Sequence, residues 1–176
     1  AQAVVGRGDR ILVDHAVGLT TPGGDQGIDA STLFCIGSCS KPFASAVVMT
    51  LLEDGTLSLE QPIDNLIPVF GELKLIGGEP SARAPTMKEL LAHRSGIYSQ
   101  KLGMTPRQQR WIRDFGLTLE QSVEGIAGEP LIAQPGAMFA YSGAGYCVVG
   151  RVATAASKSS FEELLQDRIA KRLQLR

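Results

Sequence analysis

Only one stretch of this chain alternates as paired strands do, and it lies at the start. Ala3-Val4-Val5 is apolar, Gly6-Arg7-Gly8-Asp9 supplies turn chemistry, and Arg10 to Val17 alternates. Ile11, Val13, His15 and Val17 share one face, while Leu12, Asp14 and Ala16 share the other. A two-stranded sheet is marginal by itself and needs further strands or a helical layer. No further strand is read in the rest of the chain. The lone hairpin therefore predicts an α+β fold whose sheet is incomplete within these 176 residues.

Beyond the hairpin the apolar period is mostly helical. Thr21 to Gly27 is a loop by composition. Ser38 to Asp54 reads as a helix, with Phe43, Val47, Val48, Leu51 and Leu52 at helical spacing and Gly55 as its stop. Pro42 fits only a first turn, so the helix starts near Ser38 to Ser40. Leu57 to Phe70 is broken by Pro62 and Pro68. Thr86-Met87-Lys88-Glu89 forms a capping box ahead of Leu90-Leu91-Ala92-His93, a helix ended by Ser95-Gly96. Thr105-Pro106 opens a segment carrying Trp111, Ile112 and Phe115, and Gly143 to Ala156 is helical despite two internal glycines. Ser160-Phe161-Glu162-Glu163 caps a last helix expected to run to Arg176.

Composition excludes several classes. Seventeen basic against 18 acidic residues leave a net charge of −1, without the basic excess that displaces counterions from nucleic acid. A 44% hydrophobic content argues against a largely disordered chain. No apolar run approaches the roughly 18 residues of a membrane helix. Ala1-Gln2-Ala3 lacks signal-peptide features, which leaves a cytoplasmic and a leader-processed exported protein both open. Three cysteines cannot form a closed disulfide framework. Cys35 and Cys39, without a nearby His, make a poor zinc site, and the cysteines are expected to be buried small hydrophobes. No metal or organic cofactor is implied.

One catalytic signature stands out. Ser38-Cys39-Ser40-Lys41 matches S-x-x-K, whereas G-x-S-x-G, the phosphate loop and H-E-x-x-H are missing. With 13 serines and 6 lysines, the bare pattern is weak. Its place at a predicted helix start strengthens it, because three residues make about one turn and bring Lys41 beside Ser38. A serine hydroxyl needs a base to take its proton, and a lysine can serve. The competing reading is a capping serine followed by a solvated lysine, and the local pattern alone leaves the two about even.

Four ordered segments shift that balance. Leu33 to Phe43 resembles the nucleophile segment of serine β-lactamase-like hydrolases, in the branch of class C β-lactamases, family VIII carboxylesterases and D-aminopeptidases. Leu52 to Leu59 resembles the turn after the nucleophile helix, and Leu90 to Ile97 the family's L-L-x-H-x-S-G-[LI]. Pro135-Gly136, Phe139 and Tyr141 to Tyr146 resemble P-G-x-x-F-x-Y-S-N-x-G-Y. The resemblance implies a β-lactamase/transpeptidase-like α+β fold: an antiparallel sheet flanked by helices, plus a helical domain. On that plan residues 1–60 hold the first strands and the nucleophile helix. Residues 61–160 form the mainly helical domain, and 161–176 begin the return to the sheet. It also implies roles. Ser38 would be the acylated nucleophile, Lys41 its proton acceptor or relay, and Tyr141 a second base or leaving-group acid.

Two departures qualify the match. Gly143 stands where the family usually has Asn, which removes an amide that would contact Lys41 and the acyl group. The family's third motif, K-T-G, H-T-G or W-G-G on a later strand, is not found; Arg94-Ser95-Gly96 mimics it but precedes Tyr141. The chain is thus expected to be the N-terminal part of a larger hydrolase, with a second polypeptide made by cleavage as one source of the remaining strands. The expected activity is an esterase or amidase acting on small acyl or D-amino-acid groups. A β-lactamase or penicillin-binding D-Ala-D-Ala hydrolase is the alternative, and a non-catalytic binding protein is the alternative of another class. His93 is expected to end a helix, His15 to pack in a strand, and Trp111, Phe115 and Tyr98 to fill a helical core.

Overall fold

A computed structural model describes residues 1–175. The chain divides into two compact units, residues 1–37 and the remainder from Ser38.

The first unit is the expected hairpin. Strands β1 (Gln2–Arg7) and β2 (Arg10–Ala16) pair antiparallel across a two-residue turn, with a register irregularity at Val5/Gly6. It is the only sheet among the described residues. Val4, Val5, Ile11, Leu12 and Val13 are all exposed, so apolar side chains on this ribbon lie uncovered. His15 pairs with Ala3 and is exposed, which corrects its expected packing role.

The second unit is helical. A 3₁₀ turn (Gly37–Cys39) leads into α1 (Ser40–Glu53), which places Pro42 in the first turn, where its missing N–H costs nothing. Gly55 stops the helix at φ 78°, its N–H bonded to the Leu52 carbonyl. Helix α2 (Met87–Leu91) opens on the expected Thr86–Glu89 capping box. It ends earlier than expected, because His93 takes φ 56° and the Arg94 N–H turns back to the Glu89 carbonyl at 2.7 Å. Helices α3 (Pro106–Arg113) and α4 (Leu119–Ala127) carry capping boxes of their own.

Helix α5 (Gly143–Ser157) is the hub, in contact with α1, α2, α3, α4 and α6 (Phe161–Leu165). Ala144, Val148, Val149, Val152 and Ala153 bury most of its girth, as suits a helix enclosed by others. They join Val47, Val48 and Leu51 of α1 and Leu90 of α2 in one core. The expected terminal helix runs without a break from α6 through a π turn (Gln166–Ala170) into α7 (Lys171–Leu173) and stops short of its expected end, where Gln174 takes a left-handed φ of 52°. Arg176 lies outside the described residues.

Side-chain expectations divide. Tyr98 is buried and donates to the Gln108 carbonyl, and Trp111 is half-buried with its indole N–H on Glu129. Phe115 is 97% exposed, because it falls in the turn beyond the end of α3 and not on the packed face. Cys35 and Cys39 are exposed, which corrects the expectation of burial; Cys147, on α5, is half-buried.

Candidate active site

Ser38 sits in the 3₁₀ turn and Lys41 in the first turn of α1, so backbone geometry alone brings the pair together. The Lys41 Nζ donates to Ser38 Oγ at 3.1 Å. Tyr141 arrives from a residue a hundred positions further on, just ahead of α5. Its phenol is held below its ordinary pKa by hydrogen bonding to Ser38 first and Lys41 second, with the charges of Lys41 and Lys101 adding to the effect. The structure therefore brings Ser38, Lys41 and Tyr141 together, with Lys41 Nζ bonded to Ser38 Oγ and 5.1 Å from the centre of the Tyr141 ring.

The tyrosine is held by its backbone. Ser99 Oγ donates to the Tyr141 carbonyl at 2.6 Å. The next residue, Ser142, caps α5 by accepting from the Gly145 N–H at 3.0 Å and donates its hydroxyl to the Tyr98 carbonyl at 2.7 Å. The Ser142 N–H in turn donates to His93 Nδ1 at 3.1 Å. His93 is thus more than a helix stop. Its side chain does not bond the last carbonyls of α2; its ring lies 4.5 Å from Tyr141 and 5.1 Å from Tyr146, centre to centre. Burial and the Lys41 charge lower its pKa, which favours a neutral imidazole with Nδ1 as acceptor.

Lys41 is boxed by aromatic rings. Its ammonium lies 5.1 Å from the centre of Tyr141 and 5.4 Å from that of Tyr146, within cation–π range. Tyr146 is anchored behind it by Ser45 Oγ at 3.2 Å and the Leu91 carbonyl at 3.3 Å. Lys101 adds a second cation 5.8 Å from the Tyr141 ring. Gly143 donates its N–H to Gln100 Oε1 at 2.8 Å.

Residue type alone does not single out Tyr146, Gln100 or Lys101. Their sequence cue is position: Gln100 and Lys101 lie shortly after the Leu90–Ile97 segment, and Tyr146 closes the Tyr141 segment. No group of three His, Cys, Asp or Glu among the described residues is arranged to hold a metal ion.

A hydroxyl beside an amine and a phenol is an arrangement that can serve acyl transfer in chemical terms. The chain is similar to the esterase EstB of Burkholderia gladioli, 30% identical over 152 residues that make up 81% of this chain and 37% of that protein. It is similar to penicillin-binding protein 4 of Amycolatopsis lactamdurans, 27% identical over 96% of this chain and 41% of that protein. Among solved structures it matches EstCE1, a hydrolase with promiscuous acyltransferase activity, at a TM-score of 0.82 and 26% identity, covering 95% of this chain and 44% of that one. The chain thus spans about two fifths of the length of these relatives and shares their β-lactamase/transpeptidase-like fold. The Beta-lactamase family model matches residues 1–176, and the chain belongs to that family.

Proposed function

We propose that this chain carries the nucleophile centre of a serine hydrolase that forms an acyl-enzyme at Ser38, acting on esters or amides of small acyl or D-amino-acid groups. The observation that carries the reading is the convergence of the three side chains: Lys41 Nζ bonds Ser38 Oγ at 3.1 Å and lies 5.1 Å from the centre of the Tyr141 ring. In the forward step the Lys41–Tyr141 pair takes the Ser38 proton as Oγ bonds to the substrate carbonyl carbon. The carbonyl–leaving-group bond then breaks, and the same proton passes to the departing oxygen or nitrogen. Water, deprotonated by the same pair, attacks the acyl carbon and releases the acid, and Ser38 regains its proton.

The developing oxyanion requires N–H donors. The Ser38 N–H is proposed as one, and the second is assigned to sequence corresponding to the rest of the relatives' length. The comparisons give no support to a separate polypeptide as its source. The plan of residues 1–60, 61–160 and 161–176 as sheet side, helical domain and return segment belongs to the same proposal.

Gly143 favours the esterase or amidase reading over a β-lactamase, because the amide expected at that position is missing. The likeness to penicillin-binding protein 4 keeps β-lactam turnover as the second reading. Initial rates on a chromogenic ester and a chromogenic cephalosporin separate them. Faster ester turnover, lost in Ser38→Ala, is expected. Cephalosporin hydrolysis at the higher kcat/KM would favour the second reading, and turnover of neither would favour a binding protein.

A further inference from the structure

The two peptide N–H groups that follow and precede Tyr141 in its neighbours both end on one residue. The Ala140 N–H donates to the His93 carbonyl at 2.8 Å, and the Ser142 N–H donates to His93 Nδ1 at 3.1 Å. Residue 93 makes both bonds from a left-handed φ of 56°. Ala140 and Ser142 are buried, so neither N–H has water as a ready substitute. The imidazole packs on the same segment, its centre 4.5 Å from that of Tyr141 and 6.0 Å from that of Phe139.

A bond from Ser142 N–H to Nδ1 uses the lone pair of Nδ1 and puts the ring proton on Nε2. A second proton has only Nδ1 to occupy. The imidazolium would then set one N–H against another, and the side-chain half of the grip on Tyr141 would be lost. The surrounding charges give no compensation. Lys41 faces the ring from α1, and Tyr141 and Tyr146 face it from just before and within α5. Lys101 lies beyond, against the Tyr141 ring, and the guanidinium of neighbouring Arg94 is on the Gly136 carbonyl. Among the described residues no carboxylate bears on the imidazole.

We propose that neutral His93 is a positioning residue for Tyr141, and that a proton on its Nδ1 displaces Tyr141 from Ser38 and Lys41 and so stops acylation. The inference rests on the acyl-enzyme reading and gives that site an acid-side control. Burial and the Lys41 charge hold the imidazole below its ordinary value of 6.5, which keeps the neutral form in place through the neutral range.

The test is the pH dependence of fluorophosphonate labelling at Ser38 in the intact protein, compared with His93→Ala and His93→Asn. In the unmodified protein the logarithm of the rate should fall with a slope of about one on the acid side and steepen to about two once the imidazole also takes up a proton. His93→Ala, which has no acceptor for Ser142, should label about tenfold more slowly near neutral pH, the scale of one hydrogen bond. Asparagine places an oxygen near the position of Nδ1, takes up no proton and tolerates a positive φ. His93→Asn should therefore recover at least about threefold over His93→Ala, and its slope should stay near one to the acid end. A merely structural role would slow both variants without straightening the profile. Histidine-selective NMR, with His15 the only other histidine, should place the imidazole titration at the break in the rate profile. Should His93→Ala fail to fold, His93→Asn and the NMR titration decide. A break that persists in His93→Asn, an imidazole titration away from the break, or an undiminished rate in His93→Ala overturns the inference while leaving the acyl-enzyme reading standing. An unmodified protein that is not labelled at any pH overturns both.

Discussion

Hydrogen bonding to Ser38 first and then Lys41, with the charges of Lys41 and of Lys101, whose Nζ lies 5.8 Å from the ring centre, favours loss of the Tyr141 phenolic proton. Because the folded phenol titrates below the ordinary value of about 10, phenolate forms at a lower pH than in the unfolded chain. If that phenolate accepts the Ser38 proton, acylation rises with pH along a limb centred below about 10. Lys101→Gln should move the limb upward, with little change at its plateau. A pH–rate profile of acylation reads this directly, and an unmoved limb would remove Lys101 from the site. Tyr141→Phe should reduce acylation by about 10²-fold or more, the usual scale for losing a general acid–base group. The nearness of Lys41 to Ser38 was legible from spacing, because three residues make one turn, whereas the catalytic reading of the pair came with the resemblance. Tyr141 was legible only through resemblance. Gln100 lies 43 residues before Gly143, and no local pattern could reveal that its carboxamide fills the space beside that glycine.

At the scale of elements, the site depends on α1, α2 and α5 meeting correctly. Leu51 is fully buried on α1, the helix that carries Lys41, so Leu51→Ala should cost about 3 kcal/mol in a denaturant melt. A cost under about 1 kcal/mol would show the core to be looser than described. The cap of α2 is also testable. Glu89 accepts from the Thr86 N–H at 2.9 Å and pairs with Arg83, and its carboxyl is lowered chiefly by that arginine. With the folded pKa below the unfolded value of about 4.3, this stabilisation is present above that pH and is lost as pH falls through the folded value. Glu89→Gln should flatten the acid limb of the stability–pH curve, and Thr86→Ala should cost about 1 kcal/mol. An acid limb unaltered by Glu89→Gln would assign it to other carboxylates. Gly96 takes φ 79°, and a Cβ there would collide with the Ala133 carbonyl, so the glycine of the Leu90–Ile97 segment is fixed by a backbone contact. Capping boxes at Thr86 and Ser160 were readable because their chemistry is local. The early end of α2 was not, because His93 adopts a left-handed turn from which its ring reaches Ser142 and the two tyrosines.

For the molecule as a whole, the hairpin and the helical unit obey different logic. The helices from α1 onward enclose a continuous core, whereas the hairpin exposes Val4, Val5, Ile11, Leu12 and Val13. The alternation of β2 announced the hairpin, and the lack of other alternating runs announced that its apolar side chains would find little cover here. Exposed Cys35, Cys39 and Phe115 escaped prediction because residue type gives only an average tendency to burial, and positions outside the packed helices override it. The central claim, that Ser38 is made reactive by its two neighbours, is tested most directly by intact-mass measurement after exposure of the protein to a fluorophosphonate. One adduct mapping to Ser38 is predicted, absent in Ser38→Ala and formed at least about 10²-fold more slowly in Lys41→Met. No adduct, an adduct elsewhere, or an undiminished rate in Lys41→Met would contradict it.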